Sequence, residues 1–436
     1  MKFIHATLAA AFLLSAAISA VAQAKATDPH VAAVLPEVET LYLDLHQHPE
    51  LSLAEQNTSA KLAERMQKLG YEVSQHVGGT GVVAVLRNGP GPTVLFRTDM
   101  DALPVAENTG LPYASHVRVK NASGQDVPVM HACGHDLHMS AWVGTATVMS
   151  QTKDRWHGTL VMIGQPAEEV VKGARAMLKD GLYTRFPKPD YALSVHDASD
   201  APVGMMYYTP GPALAGSDSV DITIYGRGGH GALPQTTVDP VVIAARTVLA
   251  LQTIIAREKD PRDPGVITVG VIQGGTKNNI IPDEVHLGLS VRTFRPEVRQ
   301  QLLAAIERVT KAEAEAAGAP RPPAFAYPET TTPTVNDPKL AARISTALRN
   351  QFGSANVQER PPLMVSEDFA AYAEGGVPIF MLHIGAVNPQ RYQQAKASGT
   401  SLPSLHSAQF APDYKGALPT VITAETTALM ELMGNR

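Results

Sequence analysis

The sequence predicts a two-domain α/β protein in which an α/β sandwich is interrupted by a smaller α+β domain. Three observations carry this. Short apolar strands alternate with helical stripes over the first half, the pattern of a sheet with a substantial parallel component. Near Pro210 the rhythm changes to a compact β-α-β-β-α order with half-exposed strands, which marks an inserted unit of roughly a hundred residues. From about Asp337 the α/β character resumes and continues to the end.

Taken in order, residues 1–24 read as a secretory leader. Lys2 supplies the charged start, Ala6 to Val21 the apolar run, and Ala22-Gln23-Ala24 a small-residue cleavage end. The run is somewhat short for a bilayer span and lacks a strong stop-transfer flank, with a retained anchor helix as the plain alternative. A mature chain beginning near Lys25 is therefore expected, with no stable membrane span after processing and a periplasmic destination. Leu62, Met66 and Leu69 form a helical stripe that Gly70 stops. Val82 to Leu86 and Thr93 to Phe96 are strands joined by the turn-rich Asn88 to Pro92. A helix is expected from near His138 to Met149, followed by strands at Thr159 to Ile163 and Tyr191 to Val195. In the inserted unit, Val220 to Tyr225 alternates apolar and polar residues, Pro240 to Ala256 is helical, and Val266 to Val271 and Val285 to Val291 are strands. Val298, Leu302, Ile306 and Val309 share one face of a last helix, ended before Gly318. The expected divisions are 25–212 and 329–436 for the sandwich and 213–328 for the insert.

Apolar residues make up 44% of the 436 positions and charged residues 18%, enough for two cores and unlike a disordered chain or a rod. The net charge is −5 and the basic residues are dispersed, which argues against a nucleic-acid partner. Cys133 is the one cysteine, so no intramolecular disulfide can form. In an oxidising compartment an unpaired thiol is a liability unless it is buried or coordinated.

The neighbours of that cysteine are informative. Met130 to His138 packs one thiol, three imidazoles and a carboxylate into nine positions. Cys133 and His135 suit a borderline divalent ion, with Gly134 letting the chain bend between them. A buried thiol beside surface histidines is the plain alternative. Glu168 and Glu169 follow the Thr159 to Ile163 strand, where one carboxylate can bind metal while the other moves a proton; an acidic surface turn is the alternative. Asp99 and Asp101 lie on one side of an extended segment. His196 completes another strand, and His406 comes late in the chain. Each reads alone as a structural histidine, but α/β sheets gather ligands at strand C-terminal ends.

The ordered set resembles the M20 metallopeptidases, particularly the amidohydrolase branch that includes hippurate, N-acyl-amino-acid and indole-acetyl-amino-acid hydrolases. The matching segments are Arg97 to Pro104, His131 to Asp136, Gln165 to Glu169, Gly228-Gly229-His230, Ser366 to Phe369 and Leu405-His406-Ser407. They span nearly the whole mature chain in family order. The resemblance implies a two-domain metallopeptidase-like fold whose catalytic sandwich carries a lid and dimerisation domain. It implies two divalent ions per subunit, held by Cys133, His135, Glu169, His196 and His406, with Cys133 bridging. Zinc, manganese, cobalt and nickel all suit such mixed ligands. Glu168 would be the general base and acid. Asp101 would steady a ligand histidine, Asp99 add a carboxylate, and Asp136 give further support. His230 would stabilise the oxyanion, commonly at a partner subunit's centre, while Asn279 and Arg292 would meet the substrate's carboxylate or carbonyl.

Two departures from the branch stand out. His196-Asp197-Ala198-Ser199 replaces the frequent His-Val-x-Pro, and Pro234-Gln235 the frequent Pro-His after the lid histidine. Both bear on the pocket wall more than on the metal machinery. The expected reaction is hydrolysis of the amide bond of N-acyl amino acids. Dipeptidase or carboxypeptidase action in the same fold is the near alternative. A cysteine hydrolase using Cys133 and an inactive exported binding protein are the distant ones.

Overall fold

The protein is described by a computed structural model covering residues 28–435, so the leader expected at residues 1–24 lies outside the described part. Helix α1 (Pro29–Gln47) starts on Asp28, whose side chain accepts the His30 amide. Helix α2 (Gln56–Lys68) contains Leu62 and Met66 of the expected stripe on its buried side. Strands β1 (Glu72–Val77), β2 (Gly81–Asn88) and β3 (Thr93–Asp99) follow. Helix α3 (His135–Gln151) leads to β4 (Gly158–Gln165), β5 (Tyr191–Pro202) and β6 (Met206–Tyr208).

The second unit comprises β7 (Gly216–Tyr225), β8 (Gly229–His230), α4 (Pro240–Thr253), β9 (Gly265–Gln273), β10 (Ile280–Ile281), β11 (Glu284–Thr293), α5 (Pro296–Ala316) and β12 (Ala324–Ala326). The chain then returns through α6 (Pro338–Phe352), β13 (Val357–Glu359), β14 (Ile379–Val387) and α7 (Tyr414–Met433).

The large sheet has eight strands in the order β1-β2-β4-β3-β5-β14-β6-β13. Its centre, β4-β3-β5-β14, is parallel, and β1 and β2 add an antiparallel edge. Both faces are covered, so β2 and β3 are buried nearly end to end instead of alternating. Helix α3 lies against α1 and α7 and is buried on every side from His135 to Met149, which is why it shows no polar face. The second sheet, β9-β11-β7-β12 with a short fifth strand at Thr330–Thr331, has its own core. Val220, Ile222 and Ile224 of β7 point into it against α4 and α5, and the polar residues between them face outward, as the alternation predicted.

The structure shifts two expected element boundaries. Helix α3 begins at His135, ahead of the expected His138, because Gly134 adopts φ 75° as its N-cap and the helix starts at once. Strand β5 does not end at Val195. Its ladder with β3 stops at Ser194, but β14 pairs with it from Ala192 to Pro202 and keeps it extended. The second sheet runs from Gly216 to Thr331, where Thr330 and Thr331 pair with β7.

Candidate metal centre

Parallel β3, β4 and β5 end toward the same edge, the place where such sheets present ligands. Asp99 closes β3, and the turn carrying Glu168 and Glu169 leaves β4. His196 emerges from β5 just beyond the Arg97–Ser194 pair. Cys133 and His135 arrive at the N-terminus of α3. The His406 amide donates to the Ala132 carbonyl at 2.7 Å, and His406 holds φ 66°, a left-handed conformation rare for a residue with a side chain.

These elements bring all five expected ligand residues together. The Cys133 Sγ lies 3.3 Å from His406 Nε2 and 3.6 Å from His196 Nε2. Glu169 reaches His406 Nε2 at 3.4 Å with one oxygen and His135 Nε2 at 3.9 Å with the other. The Nδ1 of His135 is held by the Asp101 carbonyl, and that of His196 by the Asp197 carbonyl, each at 2.8 Å. Both rings therefore turn Nε2 into the cluster, the usual way a ligand tautomer is set. The Nε2 of His135 and the Oε1 of Glu169 are buried without a hydrogen-bond partner. Buried polar atoms left that way are costly, and a cation between them would satisfy both. One thiol, three imidazoles and a carboxylate are the donors that a zinc-like divalent ion takes.

The electrostatics agree. Burial, reinforced by Glu169 and Glu168, holds the Cys133 thiol well above its ordinary range. A nearby divalent cation is the kind of charge that reverses such a shift. Burial raises Glu169 to about 7 against the opposing pull of His135. Glu168 is pushed well above the carboxylate range by burial first and then by Glu367, Glu169 and Asp368. Burial lowers His406, favouring the neutral ring a metal needs.

Asp101 faces His135 Nδ1 with its main-chain carbonyl at 2.8 Å and with its carboxylate at 3.7 Å. Its carboxylate also accepts the amides of Glu168 and Glu169 at 3.1 and 3.0 Å and the Ser52 hydroxyl at 2.6 Å. Asp99 accepts from Arg97 at 2.7 Å and from His138 Nδ1 at 2.7 Å. The Asp197 amide points at His138 Nε2 from 2.9 Å, fixing that ring as donor to Asp99. Sequence reading gave His138 no role. The missed signal was its spacing: once the helix starts at His135, positions 135 and 138 share one face.

Asp136 supports the α3 terminus through a buried histidine that was also missed. His46 Nδ1 lies 2.6 Å from Asp136 and its Nε2 3.2 Å from Glu107, with all three side chains buried. A neutral imidazole has one N–H, so two facing carboxylates call for the doubly protonated ring. Burial alone would lower its pKa, but the hydrogen bonds to Asp136 and Glu107 raise it to about 9. Because the folded value exceeds the unfolded one, the stabilisation is complete below about pH 6.5 and is lost as pH rises through 9. It amounts to about 3 kcal/mol. Urea midpoints measured from pH 6 to 10 should fall across that window in the wild type and fall less steeply, from a lower level, in His46→Gln, where the raised His135 and His138 still titrate. Parallel curves would remove His46 from the account.

The residues expected in the second unit are distributed otherwise. His230 and Asn279 are exposed and adjacent, since the Asn279 carbonyl accepts the Gly231 amide. Among the described residues, none of their hydrogen bonds or ion pairs reaches the cluster. His230 Nδ1 accepts the Ala232 amide, which leaves the proton on the outward Nε2. Arg292 is half-buried and donates to Ser366, the residue before Glu367, so it stands where the two units meet.

This α/β sandwich, its second sheet and its ligand edge define a metal-dependent hydrolase. Residues 95–406 match peptidase family M20/M25/M40, and the chain belongs to that family. It is 36% identical to thermostable carboxypeptidase 1 of Saccharolobus solfataricus over 337 residues, covering 76% of this chain and 81% of that protein. It is 34% identical to hippurate hydrolase of Campylobacter jejuni over 349 residues, covering 79% and 87%. A Bacillus subtilis crystal structure described as a dinuclear metal binding peptidase of family M20 superposes with a TM-score of 0.72 at 28% identity, covering 92% of this chain and 99% of that one.

Proposed function

We propose that the protein hydrolyses the amide bond of N-acyl amino acids, releasing a carboxylic acid and an amino acid, and that Cys133, His135, Glu169, His196 and His406 hold two divalent ions. The observation that carries the reading is the convergence of these five side chains beside the buried Glu168. The likeness to a hippurate hydrolase supports the substrate class. When bound, the ions supply the Lewis acidity that acidifies water and polarises the scissile carbonyl. Glu168 takes the proton of the attacking water and returns it to the leaving nitrogen, a double duty suited to a carboxyl with a raised pKa. His230 offers Nε2–H to the carbonyl oxygen as negative charge develops there. Arg292 and Asn279 receive the free carboxylate of the substrate.

For His230 and Asn279 this calls for closure of the second unit or for a second copy of the chain. We favour a homodimer. Among the described residues the edge strand β9 has no partner on its outer side, and Val266, Val271 and Ile272 on it are exposed, as are Val241, Val242 and Leu249 of the adjacent α4. An open apolar sheet edge invites pairing with a copy of itself. Light scattering should give twice the monomer mass, and Leu249→Glu with Ile272→Glu should halve it; a monomer at micromolar concentration in the wild type would remove the dimer.

The deciding experiment uses protein loaded in turn with zinc, manganese, cobalt or nickel. Turnover of hippurate and a panel of N-acyl amino acids should disappear with chelator and return with metal. Preference for dipeptides with a free amine would move the assignment to a dipeptidase or carboxypeptidase, the reading that the Saccharolobus solfataricus relative favours. Binding without turnover in every metal state would leave an exported binding protein.

A further inference from the structure

We propose that Glu55 is a positioning residue for the metal-binding turn: its buried carboxylate holds the Ala167 amide and, with Asp101, fixes the three consecutive amides from which Glu168 and Glu169 project. Glu55 has no exposed surface. Its Oε1 accepts the amides of Leu53 at 2.9 Å and Ala167 at 2.8 Å, and its Oε2 accepts the Thr80 hydroxyl at 2.6 Å. The next two amides, of Glu168 and Glu169, go to the two oxygens of Asp101, which Ser52 also contacts. The short loop between α1 and α2 thus supplies one anchoring carboxylate directly and braces the other through Ser52.

The turn needs such an anchor. Ala167 is fully buried at φ 51°, and Val171 also stands at φ 50°. Residues with a Cβ take that conformation only when their surroundings over-determine it. Without Glu55, the Ala167 amide would be buried and unpartnered, and its backbone would relax toward negative φ. The Glu168 and Glu169 side chains would then rotate away from their places. What the turn does chemically rests on the hydrolase reading above; how it is held does not.

The test pairs Glu55→Asp, Glu55→Gln and Glu55→Ala with and without Ala167→Gly. It reads kcat and KM on an N-acyl amino acid, retained zinc after equilibrium dialysis, and amide hydrogen exchange of residues 165–173 in metal-stripped protein. Glu55→Asp keeps the charge but withdraws it, and should lower kcat about 10²-fold at nearly constant KM, as a misplaced catalytic group does. Exchange at residues 167–169 should quicken while the rest of the protein is unchanged. Glu55→Gln keeps an oxygen for the Ala167 amide and should restore most of the rate. Glycine accepts positive φ freely, so Ala167→Gly added to Glu55→Asp should recover roughly tenfold. A purely structural role would show no such rescue. The proposal fails if the double variant is as slow as Glu55→Asp, or if exchange at 167–169 matches the wild type. Should Glu55→Ala not fold, Glu55→Asp decides. If the wild type turns over no amide, the hydrolase reading falls, while zinc retention and hydrogen exchange still judge Glu55.

Discussion

Glu168→Gln is expected to lower kcat by roughly 10²–10⁴-fold, the range for losing a general acid–base group, while metal content stays at the wild-type level. Glutamine preserves the shape of the side chain and removes only its ability to carry a proton. The role follows from position. Glu168 is buried, adjoins Glu169, the proposed ligand, and shares a small volume with the carboxylates of Glu367 and Asp368. Burial and those neighbours raise its pKa well above the usual range, and Arg97 opposes them only in part. Divalent ions held beside it would offset part of that rise, and a carboxyl so balanced can take a proton and return it within one turnover. Because the substitution removes a charge that the folded state disfavours, Glu168→Gln should also be at least as stable as the wild type. Glu169→Gln should behave oppositely, losing metal together with activity. Steady-state kinetics beside metal analysis separates the two, and a Glu168→Gln enzyme within tenfold of wild type would reassign the proton transfer.

Arg97→Met should be the most destabilising of these changes, by about 3–5 kcal/mol, the cost of stranding buried charges. The Arg97 guanidinium is fully buried and donates to Gln165 at 3.0 Å, Asp99 at 2.7 Å and Glu367 at 2.8 Å, with Asp368 at 3.4 Å. Without it, Glu367 loses its cation and Asp99 keeps only its histidine neighbours, while Asp368, already raised to about 8 by burial, carries little charge at pH 7. Glu367 and Asp99 would respond by taking up protons, so the loss should be smaller at pH 5 than at pH 7. Lysine is a poor replacement because a point charge cannot fork over several acceptors. Adding Glu367→Gln should recover part of the stability, since one stranded charge is gone. Urea unfolding of the wild type, both single variants and the double variant measures this. Strict additivity would show that Arg97 and Glu367 are not coupled.

Parts of this site were legible in the sequence and parts were not. Cys133, His135 and the Glu168–Glu169 pair stand in local clusters whose chemistry is readable from residue type and spacing. His196 and His406 are isolated, and only the ordered likeness to a family singled them out. Asp101 was noticed, but its division of labour was not: the carbonyl steadies His135 while the carboxylate secures the turn after β4. Glu55 gives no local signal at all, standing between Leu53-Ala54 and Gln56-Asn57 in what reads as an ordinary loop before a helix. His138 was hidden by a helix start placed three residues late, an error that came from not reading Gly134 as a left-handed cap.

The sequence by itself determined the alternation of strands and helices, the existence of an inserted unit and the local clusters of candidate donors at Cys133-Gly134-His135 and Glu168-Glu169. Those properties reside in apolar periodicity, turn residues and short motifs, all of which act within a few positions of the chain. Only the tertiary structure decided which polar groups are buried and what they hold. Glu55 meets Ala167 across 112 positions, and Arg97 meets Glu367 across 270. The free energy of a buried charge depends on the partners that folding brings to it, and no local pattern records who they are.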